Sequence, residues 1–145
     1  MRHHLILRVV SKLLIPFILL YALYVQFHGD FGPGGGFQAG VIFAAAFVLY
    51  ALIYGVETAR KAFPARWLAI LVPLGVLIYG GTGIASLLLG GTYLDYDVLA
   101  ATPTGGQHLG ILVVEFGVGV TVTAVMIAIF FAYAGRTDDI QDDDW

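Results

Sequence analysis

Apolar residues gather into four long runs, and polar residues are mostly confined to the gaps between them. Residues 13–27, 37–56 and 67–91 contain no charged side chain, and residues 109–134 contain one, Glu115. A hydrocarbon core about 30 Å thick is crossed by roughly 20 apolar residues in helical form. The last three runs reach that length. The first reaches it if residues 5–12 extend it, with Arg8 and Lys12 lying along the helix and lifting their charges to the headgroups. The pattern predicts an all-α integral membrane protein: one membrane domain with four transmembrane helices over residues 5–27, 37–56, 67–90 and 108–134, then an acidic tail, 136–145. The opening "MRHHLILRVVSKLL" resembles a secretory leader, but no A-x-A-like cleavage site follows. It is read as a retained first helix.

Composition narrows the class. The 145 residues are 59% hydrophobic and 12% charged, about half the charge that covers a soluble domain. There are no cysteines, which excludes a disulfide scaffold, a thiolate metal site and a cysteine nucleophile. The charges are also sorted. Arg2, Arg8 and Lys12 lie at the start, Arg60, Lys61 and Arg66 between the second and third spans, and Arg136 after the fourth. Segments 29–36 and 92–107 hold no Lys or Arg, only Asp30, Asp95 and Asp97. Because positive segments resist translocation, both termini are expected to be cytoplasmic. Asp95 and Asp97 are expected to be solvated in the second outer loop. Tyr21, Tyr24, Trp67, Tyr93 and Tyr133 fall near span ends, where amphipathic rings favour the interface.

The stretch "HGDFGPGGGFQAG", residues 28–40, sets a proline and three consecutive glycines against the second apolar run. A phosphate-cradling loop would need a Lys and a Ser or Thr after its glycines, and a dinucleotide fingerprint would need a preceding strand. Neither is present. Pro33 suits the start of a helix because its missing N–H is an orphan there anyway. Gly34, Gly35 and Gly36 permit backbone angles closed to other residues and remove side chains that would hold a neighbour away. Gly40 and Ala44 continue this as a small-xxx-small pair, the spacing at which helices pack closely in lipid. Two readings stand: an outer turn with close helix packing, or an irregular helix start lining a wet cavity. The third and fourth runs are also rich in glycine. Four helices cannot bury so many small-residue faces among themselves, so partner subunits are expected.

Glu115 is the main chemical candidate. An ionised carboxylate at membrane depth costs several kcal/mol unless compensated. The cationic residues lie at the other ends of the spans. The acid must therefore stay protonated, face a hydrated cavity, or meet a cation from another subunit or from solution. A proton or cation pathway and a structural hydrogen bond to a neighbouring helix are both consistent with it. His108, seven residues earlier, falls on a similar helical face. His28 ends the first span, and Gln38 lies one turn into the second. A histidine in such a place can pass protons, or sit at the interface with no special task. No set of His, Asp and Glu has metal-ligand spacing on one helix, and no nucleophile–base arrangement points to a hydrolytic enzyme. No metal, cofactor or nucleic-acid partner is expected.

Two segments, "GDFGPGGGFQAG" and "GGQHLGILVVEFGVGVTVTAVM" (105–126), resemble the MnhB family, one of the small membrane components of the Mrp-type multisubunit Na+/H+ antiporters. Length, four-span layout and motif order resemble it throughout, although Ala39 stands where members often carry glycine. The resemblance implies a small subunit of a hetero-oligomeric complex in the bacterial cell (inner) membrane. That complex exchanges cytoplasmic Na+ or a related monovalent cation for external H+, and partner subunits and lipid surround the chain. The resemblance also implies a secondary transporter component, not an enzyme, needed for assembly and exchange. It does not decide whether this subunit lines the ion path. By motif, Pro33, Gly34, Gly35, Gly36 and Phe37 would form the functional outer end of span two, with His108 and Glu115 at the start of span four. The rival expectation is a purely structural packing subunit. A self-sufficient four-span homodimeric exporter fits less well, since such proteins usually carry their acid in span one.

Overall fold

The computed structural model describes residues 5–29 and 32–135. The acidic tail, Asp30, His3 and His4 lie outside these residues. Four long helices are present: α1 (Leu5–Phe27), α2 (Gly36–Tyr54), α4 (Ala65–Leu88) and α5 (Pro103–Ala134), with a short α3 (Val56–Ala62) between α2 and α4 and a 3₁₀ turn (Tyr96–Leu99) before α5. All four long helices have the length and apolar character to cross a membrane.

The boundaries follow local chemistry. Gly55, with φ +95°, closes α2, and its N–H donates to the Ala51 carbonyl. Pro64 precedes α4 in extended conformation. Helix α5 starts five residues before the expected His108. Thr102 caps it, its hydroxyl accepting from the Gly105 N–H at 3.2 Å, and Pro103 takes the first position, where its missing N–H leaves no bond unmade. Gly105 and Gly106 read as loop in sequence, but Gly106 is needed inside the helix. A Cβ there would overlap the Tyr96 carbonyl oxygen, and one at Gly110 would overlap the Tyr96 ring.

Helices α1 and α2 form one antiparallel hairpin, and α4 and α5 form another. Helix α5 joins them, packing on α4 along one side and on α2, to which it runs parallel, along the other. Close approach is achieved with small residues. A Cβ at Gly40 would come 2.8 Å from the Gly119 carbonyl, and one at Gly75 would overlap the Gly117 carbonyl and the Thr121 hydroxyl. Thr121 donates that hydroxyl to the Val72 carbonyl at 3.2 Å. Gly80 and Gly81 behave differently, since nothing lies within 4 Å of a Cβ at either position. A dry core of Ala44, Ala51, Ala59, Leu68, Ala124, Ile127 and Phe131 fills one end of the bundle.

At that end the Tyr54 hydroxyl donates to the Arg8 carbonyl at 2.7 Å, and the Arg60 guanidinium donates to the Phe131 carbonyl at 2.8 Å. The start of α1 and the end of α5 therefore share one end of the molecule. The opposite end is stepped. Gly36, the first residue of α2, abuts Glu115, twelve residues into α5. The α4–α5 hairpin thus rises ~18 Å beyond the start of α2, at 1.5 Å per residue.

Candidate functional site

Glu115 lies on this step, and the loop from α1 to α2 closes over it. A Cβ at Gly29 would come 2.5 Å from Glu115 Oε2, and one at Gly35 would come 2.8 Å from Oε1. A Cβ at Gly36 would run into the Glu115 backbone carbonyl. Gly35 also has φ +127°, a conformation that glycine alone adopts without strain. Gly34 seats the loop on α1, where a Cβ would come 2.9 Å from the Val25 carbonyl. Gly29 and Gly35 thus form a collar on two sides of the carboxylate, and Gly36 abuts the α5 backbone beside it. The close neighbour of the glycine run is this chain's own α5, and Gly36 begins a regular helix.

The remaining candidates divide. Gln38 is exposed, yet its Oε1 lies 3.6 Å from where a Cβ on Gly35 would sit, the same point that Glu115 Oε1 crowds. The glycine therefore brings the Gln38 amide oxygen and the Glu115 carboxylate towards one another. Gly40 packs α2 on Gly119 and Val122. Pro33 is exposed at the rim of the loop, and Phe37 is 61% exposed. His28 is half-buried, its ring stacked on Tyr24 at 5.0 Å between centroids. It stands next to Gly29, but its ring packs on Tyr24 and against Gly32. His108 is exposed and is set about 10 Å along the axis from Glu115 by seven residues of helical rise. Among the described residues, no group of three His, Cys, Asp or Glu side chains is placed to hold a metal ion.

Inward from Glu115, the same stripe of α5 continues through Gly119 and Thr123, at i+4 and i+8. The Thr123 hydroxyl lies 2.7 Å from the Gly119 carbonyl and 3.2 Å from the Gly40 carbonyl, to which it can donate. Gln26 of α1 reaches this stripe, since a Cβ at Gly119 would come 2.6 Å from Gln26 Oε1 and 3.2 Å from the Gly36 carbonyl. The loop between α4 and α5 is organised separately. Asp95 and Asp97 do more than sit in solvent. Asp95 accepts from the Asp97 N–H at 3.3 Å, and Asp97 accepts from Gln107 Nε2 at 2.8 Å. Burial, followed by the nearby Tyr79 and Tyr93, holds the Tyr96 hydroxyl above the ordinary tyrosine value.

Residues 6–128 match the family model described as "Domain related to MnhB subunit of Na+/H+ antiporter". The chain belongs to the MnhB family. It is 33% identical over 133 residues to the protein named "Putative antiporter subunit mnhB2" in Staphylococcus aureus strain Newman, covering 90% of this chain and 94% of the relative. The same identity and coverage hold for its counterparts in strains JH1 and USA300. Within this MnhB-family chain, the collar and Glu115 come from the two segments that carry the resemblance, and they meet in space although some 80 residues of sequence lie between them.

Sequence pattern alone does not single out Gln26 or Thr123. For Thr123 the available signal is the i, i+4, i+8 spacing Glu115–Gly119–Thr123 on one helical face. For Gln26 it is only that an amide interrupts an apolar run. Neither signal says that the two face each other, because that depends on how α1 and α5 are placed.

Proposed function

We propose that this chain is an accessory, path-bordering subunit of a hetero-oligomeric monovalent cation/proton antiporter in a bacterial cell membrane, with other membrane subunits as its partners. The complex exchanges cytoplasmic Na+ for external H+. Family membership supports the coarse reading of an antiporter subunit, a transporter component and not an enzyme. One observation carries the finer reading: the sole acid within the four spans is half-buried, with Gly29 and Gly35 against its carboxylate and the Gln38 amide on the same side of Gly35. Membrane-depth carboxylates sheltered by protein commonly serve proton or cation pathways. A carboxyl needed only for packing would be served as well by an amide. In this reading Glu115 takes and releases a proton, or balances a passing cation, at the outward-facing step of the bundle.

The test is exchange in everted membrane vesicles that contain the whole complex. Glu115→Gln keeps the size and hydrogen-bonding capacity of the side chain but cannot ionise. It is expected to cut exchange at least tenfold while the complex still assembles. Normal exchange across a range of pH would remove Glu115 from transport and leave the purely structural reading. That second reading has support of its own in the glycine-to-carbonyl approaches of Gly36, Gly40 and Gly75.

A further inference from the structure

Gln26 is 6% exposed, and its Nε2 has no hydrogen-bond partner among the described residues. Leaving a buried amide donor unmade costs on the order of 1–3 kcal/mol, so something normally satisfies it. Gln26 lines a cleft of about 260 Å³ together with Ala39, Gly40, Phe116, Gly119 and Thr123. A water molecule occupies roughly 30 Å³ in the liquid and needs two to four polar partners. Most of the lining is apolar, and its polar atoms gather at one place: Nε2 of Gln26 as donor, with the Gly119 carbonyl and the Thr123 hydroxyl oxygen as acceptors. Gly119 makes the arrangement possible, because any Cβ there would displace the Gln26 amide.

We propose that Gln26 anchors ordered water in this cleft, making a hydrated pocket that lies one to two helical turns inward of Glu115 and stops at Thr123. The stop has a physical cause. The next buried positions along the same interface are Ala44, Ala124, Ile127 and Phe131, which have no polar side-chain atoms to hold a water. The hydrated pocket is therefore confined to the turns of α5 around Gly119 and Thr123. This rests on the proposed function for which end faces outward, but the hydration itself does not depend on transport.

The native chain has no cysteine, so a single introduced thiol can be followed on this subunit alone. Methanethiosulfonate ethylammonium reacts with thiolate, which forms only where water reaches the sulfur. The assembled complex, carrying Thr123→Cys or Ile127→Cys, is treated with this reagent, and the mass shift of this subunit is followed with time. Thr123→Cys is expected to be modified and Ile127→Cys to stay unmodified. Adding Gln26→Met, close in size but without a donor, is expected to slow the Thr123→Cys reaction at least tenfold. Gln26→Glu is expected to restore it, which a packing defect would not do. The proposal fails if Thr123→Cys with native Gln26 is as unreactive as Ile127→Cys, as it would be with a partner helix or lipid tail filling the cleft. It also fails if Gln26→Met leaves the rate unchanged. Because labelling is read without exchange, a hydrated cleft with a transport-competent Glu115→Gln would overturn the proposed function alone.

Discussion

Glycine is usually described as flexible, but in this chain its main property is the absence of a Cβ. At Gly36 a methyl group would occupy the position of the Glu115 carbonyl oxygen, so α2 would have to move away from α5. Overpacking of this kind costs ~1–3 kcal/mol. Gly36→Ala is therefore expected to lower the melting temperature of the purified complex and the amount recovered. Gly80→Ala meets nothing within 4 Å and should leave stability unchanged or raise it by up to about 1 kcal/mol, because alanine favours a helix interior. Equal effects of the two substitutions in a thermal-shift measurement would contradict the packing described for Gly36. The two residues look alike in sequence, since each belongs to a glycine cluster, Gly34, Gly35 and Gly36 at the start of one apolar run and Gly80, Gly81 and Gly83 inside another. Only the partner across the gap tells them apart.

Among the elements, the apolar runs mark the four long helices to within a few residues at most ends, because a membrane-crossing segment must satisfy its backbone internally and therefore becomes a helix. The start of α5 is the least legible boundary. Its signal, Thr-Pro, is present, but Gly105 and Gly106 weaken the helical pattern, and the reason for Gly106 is the 3₁₀ turn that packs on it. Thr102→Ala removes the cap, at a cost of about 1 kcal/mol. It is expected to speed amide hydrogen exchange over residues 103–110 several-fold and to leave residues 115–130 unchanged, while Thr102→Ser should exchange like the native chain. Uniform exchange across α5 in Thr102→Ala would show that the cap does not set this boundary.

At the scale of the whole molecule, the start of α1 and the end of α5 lie together, joined to their neighbours through Arg8, Tyr54, Arg60 and Phe131. Charge makes the cytoplasmic side the expected place for that end. Arg8, Arg60, Lys61 and Arg66 gather there, and segments 29–36 and 92–107 at the opposite end hold no Lys or Arg. A fluorescent protein fused after Trp145 is expected to fluoresce, and a periplasm-dependent phosphatase at the same place is expected to be inactive. The reverse pattern would invert the orientation and put the Glu115 step on the cytoplasmic side. Over their most apolar stretches only 11–33% of the residues are buried, so every span keeps residues that lipid or other subunits can cover.

Long uncharged runs, sorted cations and one isolated acid can all be read along a single line of residues, because the cost of placing charge and backbone in hydrocarbon acts on each segment separately. The pairing of Glu115 with Gly29, Gly35 and Gly36, and of Gln26 with Gly119, cannot. These contacts join residues from different helices, and they exist only because α5 lies beside α2 at a register in which small residues let the two backbones meet.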